Sequence, residues 1–122
     1  MKTSSAKAKG RALQQWVAKA LVRVAKVLDP DDVVSRPMGS SGQDLMRSPK
    51  AQKLFPISIE CKSTRKFPSV EALKQSQYNK GYKDLAAVVW KPFGKGYEES
   101  IIYFNYVQFL EWYFNKEDTC EN

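Results

Sequence analysis

An uninterrupted apolar run, Ala-Ala-Val-Val-Trp at residues 86–90, constrains the fold more than any other segment. A run of this length and composition predicts a β-strand that is buried on both faces. Such strands are typical of sheets that helices cover on both sides. A chain of 122 residues is large enough for one such core and too short for two. We therefore expect residues 1–122 to form a single domain of the α/β class.

Helix and strand patterns alternate along the rest of the chain. Residues 1–9 are small, polar and basic, which predicts a flexible N-terminal arm. Ser48 and Ser69 are predicted helix N-caps, and Pro49 after Ser48 suits the first position of a short helical turn. The expected order is helix, three strands, helix, two strands and helix, at residues 11–28, 33–36, 44–46, 57–62, 69–79, 86–90, 100–105 and 106–114.

The charge of the chain indicates its partner, and its composition limits its chemistry. Twenty Lys and Arg against thirteen Asp and Glu give a net charge of +7, which favours a nucleic acid as partner. The chain has no histidine, which excludes Ser-His-Asp and Cys-His catalysis, histidine general bases and His-ligated zinc. Any hydrolysis must therefore use carboxylates, lysine and a hard metal ion.

Two further features suggest where the protein works. No apolar run approaches the ~20 residues that a membrane span needs, and no secretory signal is recognisable. Cys61 and Cys120 are too few for a disulfide framework and are expected to be free thiols. We expect a cytoplasmic protein without membrane contact.

The strand at residues 57–62 carries the most informative charges. Its period-two alternation puts Glu60 and Lys62 on the same face, about 7 Å apart along the strand. Asp44 follows a Gly-Ser-Ser-Gly turn and can fold back toward Glu60. Two carboxylates and one ammonium could then share a site. An ordinary half-exposed strand is the alternative, and Asp31 is a second choice for the other acidic residue.

Ser41-Gly-Gln-Asp44, followed by Ile59-Glu-Cys-Lys62, resembles the PD-(D/E)XK nuclease superfamily. More narrowly, residues 8–110 are similar to small phage-encoded nucleases related to archaeal-type Holliday junction resolvases. The resemblance implies a restriction-endonuclease-like core, with a mixed central sheet of about five strands flanked by helices. It also implies an Mg²⁺-dependent DNA endonuclease, possible selectivity for branched or nicked DNA, and the host cytoplasm if a phage encodes the chain.

By this resemblance, Asp44 and Glu60 bind Mg²⁺, or Mn²⁺ in its place, with the backbone carbonyl of Cys61. Lys62 then orients or activates the attacking water. Many relatives carry an acidic residue on the first helix, where this chain has Gln14 and Gln15. These glutamines either support the metal site or face solvent. On the helix after the Glu60 strand, where relatives often carry a glutamine that supports the site or contacts DNA, this chain has Gln75 and Gln77, of which Gln77 is the chosen supporting candidate.

The resemblance also implies contacts to DNA and a two-fold dimer, since cutting both strands needs two sites. The C-terminal aromatic residues could stack unpaired bases, but core packing or a dimer interface is the preferred interpretation. The alternatives for the whole chain are a catalytically inactive DNA-binding module and an RNA-directed nuclease. The candidate DNA contacts are Ser40, Ser41, Arg47, Lys50, Ser63, Arg65 and Lys91.

Overall fold

The computed structural model describes residues 2–37 and 42–115. Two 3-10 turns, Pro30–Asp32 and Tyr97–Glu99, accompany the helices and strands. The helices are α1 (Lys2–Ala25), α2 (Pro49–Leu54), α3 (Ser69–Asn79) and α4 (Tyr106–Asn115). The strands are β1 (Val33–Ser35), β2 (Leu45–Arg47), β3 (Ile57–Thr64), β4 (Leu85–Pro92) and β5 (Ile101–Tyr103). Within these described residues, no helix is both long enough and apolar enough to span a bilayer.

The five described strands form two separate sheets. β1 and β2 make an antiparallel hairpin in which Val33 is opposite Arg47. The other sheet has the order β3-β4-β5, with β3 parallel and β5 antiparallel to β4. The α/β class and a mixed sheet are thus confirmed. Instead of the expected single sheet of about five strands, the five described strands form one three-stranded and one two-stranded sheet.

Strand β4 is buried in the way that its apolar run predicts. Ala86, Ala87 and Val88 are at most 2% exposed. Ala87 packs in the larger core cluster with residues of α1, and Val88 packs in the smaller one with Ala72 and Leu73 of α3. A helix therefore covers each face of this strand, which is why both faces carry apolar side chains.

Strand β3 lies beside β4 and is buried on both faces over its first half. Ile59 and Cys61 belong to the core cluster under α1. On the other face, Ser58 is 1% exposed and Glu60 is 4% exposed. Helix α3 covers that face, where Ser76 Oγ donates to the carbonyl of Ala87 at 2.9 Å. The alternative of an ordinary strand with a solvated polar face is therefore wrong.

Helix α1 differs from its prediction at both ends. The expected arm is wrong for residues 2–9, which continue α1 because alanine and lysine favour helix there. The helix ends at Ala25, before Pro30, because Lys26 adopts a left-handed backbone with φ of 67°. Val24, in the last turn of the helix, is 70% exposed.

The two predicted helix caps have opposite outcomes. Ser48 caps α2 as expected, since its Oγ accepts the N–H of Ala51 at 3.1 Å. The Ser69 cap is wrong, because Ser69 is the first helical residue of α3 and Pro68 precedes it without a side-chain cap. The backbone of Ser69 has φ of 57°, and its carbonyl accepts from Tyr103 Oη at 2.9 Å.

The expectation of core packing for the aromatic residues near the C-terminus is met by Tyr103, which packs against the smaller core cluster. It is wrong for Phe104, Tyr106, Tyr113 and Phe114, which are exposed. Helix α4 has no buried residue. Phe109 of this helix stacks on Phe104, which precedes the helix, with 5.2 Å between the ring centroids. Trp112 ties the helix to the domain by donating from Nε1 to the carbonyl of Pro56 at 3.0 Å. Base stacking and a dimer interface remain predictions for this surface.

Candidate active site

Asp44 lies against the free edge of β3. Its Oδ2 accepts the backbone N–H of Cys61 at 2.7 Å. Among the described strands, β3 lies at an edge of its sheet, so no described strand pairs with this N–H. The N–H and C=O of one residue point the same way in an extended strand, and the Cys61 carbonyl therefore faces the same edge. Asp44 and the backbone of Cys61 together present oxygen atoms at this edge.

A turn held by Arg36 positions Asp44. The backbone N–H of Arg36 donates to the carbonyl of Asp44 at 2.8 Å. Arg36 Nε donates to the carbonyl of Gln43. Gly42 has φ of +118°, and a Cβ there would come within 2.9 Å of Arg36 Cζ. Glycine at position 42, two residues before Asp44, therefore allows both the positive φ and the close approach of the Arg36 side chain.

Glu60 is a buried carboxyl group beside Asp44. The pKa of Glu60 is raised to about 7, mainly by burial and also by the Asp44 carboxylate, while Lys62 acts in the opposite direction. Burial also raises the pKa of Asp44. The hydrogen bond from the Cys61 N–H and the positive charges of Lys62 and Arg36 lower it, but by less than burial raises it. Two neighbouring carboxyl groups that resist ionisation are typical of sites that bind a cation or a proton.

Lys62 completes the group of charges. Its Nζ lies 3.9 Å from Glu60 Oε2 and donates to Gln75 Oε1 at 3.2 Å. Its side chain is 31% exposed, whereas that of Glu60 is 5% exposed. The ammonium therefore lies between the buried carboxylate and solvent. The structure thus brings together Asp44, Glu60 and Lys62, the three residues predicted to be catalytic.

Gln14 of α1 reaches the same site. Its side chain hydrogen-bonds to the Asp44 carboxylate, an interaction that lowers the pKa of Asp44. Its Oε1 is buried and has no hydrogen-bond partner among the described residues. An amide oxygen in this position is suited to coordinate a metal ion or to accept a hydrogen bond from a metal-bound water. Gln15, in contrast, is exposed on the helix.

The donors that could hold a metal ion are therefore mixed. Within residues 2–37 and 42–115, no three Asp, Glu, Cys or His side chains form a metal-binding group. The available donors are the carboxylates of Asp44 and Glu60 and the neutral oxygens of Cys61 and Gln14. Mg²⁺ commonly uses one or two carboxylates and keeps several waters. This donor set fits Mg²⁺ and is a poor one for zinc.

Gln75 occupies the supporting position that the sequence assigned to Gln77. Gln77 Nε2 donates to Gln108 Oε1 at 2.9 Å and so links α3 to α4. Residues two apart on a helix point in different directions, so only one of the two can reach Lys62. The sequence contains both glutamines, and only the rotation of α3 distinguishes them.

Arg47 is not a surface contact, which corrects its assignment to DNA. It pairs with Asp84 in an ion pair whose side chains are 3% and 7% exposed. It also donates from Nη1 to the carbonyl of Phe55 at 2.6 Å and from Nη2 to Gln43 Oε1 at 2.9 Å. Ser58 Oγ donates to Asp84 at 2.7 Å. Arg47 therefore joins the β1–β2 hairpin to β3.

The other predicted contacts are distributed over the surface. Ser63 and Lys91 face each other in the β3–β4 register and line one cleft. Lys50 and Arg65 are exposed. Ser40 and Ser41 lie outside the described residues. Asp31, the second choice for the acidic residue, is exposed.

The elevated pKa of Glu60 predicts how stability changes with pH. Folding favours the protonated acid, so its contribution is complete below pH 4.5 and is lost as the pH rises through about 7. In EDTA, we expect the unfolding free energy of the parental protein to fall between pH 5 and 8. The fall should exceed that of Glu60→Gln by up to about 3 kcal/mol. Urea unfolding at each pH measures both, and parallel pH profiles would contradict the burial of Glu60.

Comparison with protein-family models, with curated proteins and with solved structures gives no match. The case for a function therefore depends on the residues of the site and on the charge of the chain. Both are specific enough to test.

Proposed function

We propose that the protein is an Mg²⁺-dependent DNA endonuclease that hydrolyses phosphodiester bonds, with a restriction-endonuclease-like core. One observation carries the proposal: Asp44 meets Glu60, Lys62 and the backbone of Cys61 at the free edge of β3. The residues and their order agree with the PD-(D/E)XK resemblance. The unpaired Gln14 oxygen adds a donor that the motif alone does not specify.

Each residue then has a defined role. Asp44, Glu60, the Cys61 carbonyl and Gln14 would hold Mg²⁺, which when bound lowers the pKa of water and neutralises charge on the phosphoryl group. The ammonium group of Lys62 would contact the attacking water or the phosphate. Gln75 orients that ammonium by accepting a hydrogen bond from it. Glu60 must lose its proton to act as a ligand, so metal binding should strengthen as the pH rises toward 8.

The charge of the chain supports DNA as the substrate, since +7 favours association with a polyanion. Endonucleolytic action, selectivity for branched or nicked DNA and a homodimer are further parts of the proposal, and they rest on the family resemblance. Mn²⁺ should replace Mg²⁺, because it accepts the same oxygen ligands.

Metal binding tests the proposal directly. Isothermal calorimetry at pH 8 should detect Mg²⁺ and Mn²⁺ binding to the parental protein. In Asp44→Asn, binding should weaken by at least about tenfold, since a charged ligand is lost. Asp31→Asn is the matched control, because it removes the same charge from an exposed position that was the second candidate. Equal effects of the two substitutions would exclude Asp44 as the ligand.

Cleavage assays separate the proposal from its alternatives. The substrates are linear, nicked, single-stranded and four-way-junction DNA, together with matched RNA, each with and without Mg²⁺. We expect cleavage of DNA that requires the metal. DNA binding without metal binding or cleavage would instead identify an inactive DNA-binding module, and preferential RNA cleavage would identify an RNA-directed nuclease.

A further inference from the structure

A cleft of about 280 Å³ lies between α1 and the loop that follows β4. Ser63 near the end of β3 forms part of its wall, and none of the described residues that line it is acidic. Its polar and aromatic lining residues are Ser5, Lys9, Ser63, Lys91, Phe93 and Tyr97.

Aromatic rings hold the two lysines of this cleft. Lys9 Nζ lies 4.0 Å from the centroid of the Phe93 ring, and Lys91 Nζ lies 5.3 Å from that of Tyr97. Tyr97 itself stacks on Trp16, with 5.5 Å between the centroids. Such contacts fix an ammonium without neutralising it.

Neither ammonium group forms an ion pair with any residue that the structure describes. The ion pairs of the described residues are Arg47–Asp84 and Lys62–Glu60, and neither includes Lys9 or Lys91. Two positive charges and two serine hydroxyl groups that line the same cleft are suited to bind a phosphate, by charge and by hydrogen bonds.

The cleft is close to the candidate active site along β3. Ser63 follows Cys61 by two residues on the same face, which separates them by about 7 Å. Cys61 is the residue whose backbone meets Asp44. The Ser63 side chain leaves the same face of β3 as Cys61, whereas that of Glu60 leaves the opposite face. An anion beside Ser63 therefore lies near the Cys61 edge of the site and not beside the Glu60 carboxylate.

We propose that this cleft binds a backbone phosphate of a DNA strand, on the α1 side of the Asp44–Cys61 edge. The proposal rests on the proposed nuclease function and deepens it. Lys9 and Lys91 supply the charge, and Ser63 and Ser5 supply hydroxyl donors. The cleft contributes affinity and strand position, while the chemistry belongs to the residues at the edge of β3.

Fluorescence anisotropy with a labelled DNA duplex, in EDTA, measures this contribution. Lys9→Ala and Lys91→Ala should each weaken binding about 3- to 10-fold at 100 mM salt. Each should also reduce the slope of log K against log salt concentration by about 0.9, the value for one phosphate contact. Lys19→Ala is the matched control: it removes the same charge from an exposed position on α1, and it should change neither quantity.

Cleavage kinetics provide a second readout. Lys9→Ala and Lys91→Ala should raise KM about as much as they weaken binding, whereas Glu60→Gln should lower kcat. If the parental protein does not cleave DNA but the salt slopes fall as stated, the nuclease proposal fails and the cleft proposal stands. If Lys9→Ala and Lys91→Ala match Lys19→Ala in affinity and slope, the cleft proposal is overturned.

The phosphate that this cleft binds could instead belong to a small phosphate compound. Calorimetry with inorganic phosphate distinguishes it, because a single contact of a polynucleotide should bind free phosphate only weakly. Micromolar affinity for inorganic phosphate would overturn the assignment to DNA. Circular dichroism of each variant should match that of the parental protein, which confirms that loss of binding is not loss of fold.

Discussion

Replacing Glu60 by Gln is expected to reduce Mg²⁺-dependent DNA cleavage by about 10³-fold or more. The substitution keeps the size of the side chain and removes the buried negative charge that a metal ion requires. Lys62→Ala should reduce cleavage by about 10² to 10⁴-fold, the usual range for loss of a group that assists proton transfer. Single-turnover rates at saturating protein measure both effects without a contribution from product release.

The same variants should retain DNA affinity within about tenfold, because binding depends chiefly on the basic surface. Glu111→Gln and Lys66→Ala are matched controls, since each makes a similar change at an exposed position. Both controls should cut at the parental rate. Cleavage at the parental rate by Glu60→Gln or Lys62→Ala would show that the site is misassigned.

Replacing Arg47 by Met is expected to destabilise the fold by about 3 to 5 kcal/mol. The change leaves the Asp84 carboxylate buried without its charged partner, a situation that commonly costs this much. It also removes hydrogen bonds to the carbonyl of Phe55 and to Gln43. Urea unfolding followed by circular dichroism measures the loss.

Two further variants show whether burial of charge is the cause. Arg65→Met removes the same charge from an exposed position, and its stability should change by less than about 0.5 kcal/mol. The double variant Arg47→Met with Asp84→Leu should recover much of the loss, because it leaves no unpaired charge in the core. If Arg47→Met left stability unchanged and weakened DNA binding, Arg47 would be a surface contact after all.

Local patterns were sufficient to predict the elements that position the site. The alternation at residues 57–62 predicted the orientation of Glu60 and Lys62, and the apolar run at 86–90 predicted a strand covered on both faces. Both patterns are local, since each depends on the side chains of one strand and on burial of its faces. The Ser48 cap was predictable for the same reason.

Features that depend on distant pairs were not predictable in this way. Arg47 and Asp84 are 37 residues apart, and nothing near either residue indicates that the other neutralises it. The choice of Gln75 over Gln77 depends on the rotation of α3 against β3. The division of five strands into two sheets depends on which strand edges meet. Tertiary packing decides all three, and the local patterns of a single sequence do not reveal how its elements pack.

That division into two sheets has a consequence for the site. Asp44 extends the β1–β2 hairpin, because its backbone carbonyl accepts a hydrogen bond from the Arg36 N–H. Glu60, in contrast, belongs to the sheet of β3, β4 and β5. A divalent ion held by both carboxylates would bridge two structural units that otherwise dock through side chains and a few backbone contacts. Metal affinity and docking of the hairpin are then thermodynamically linked. Detachment of the hairpin would release the ion before the larger sheet melts.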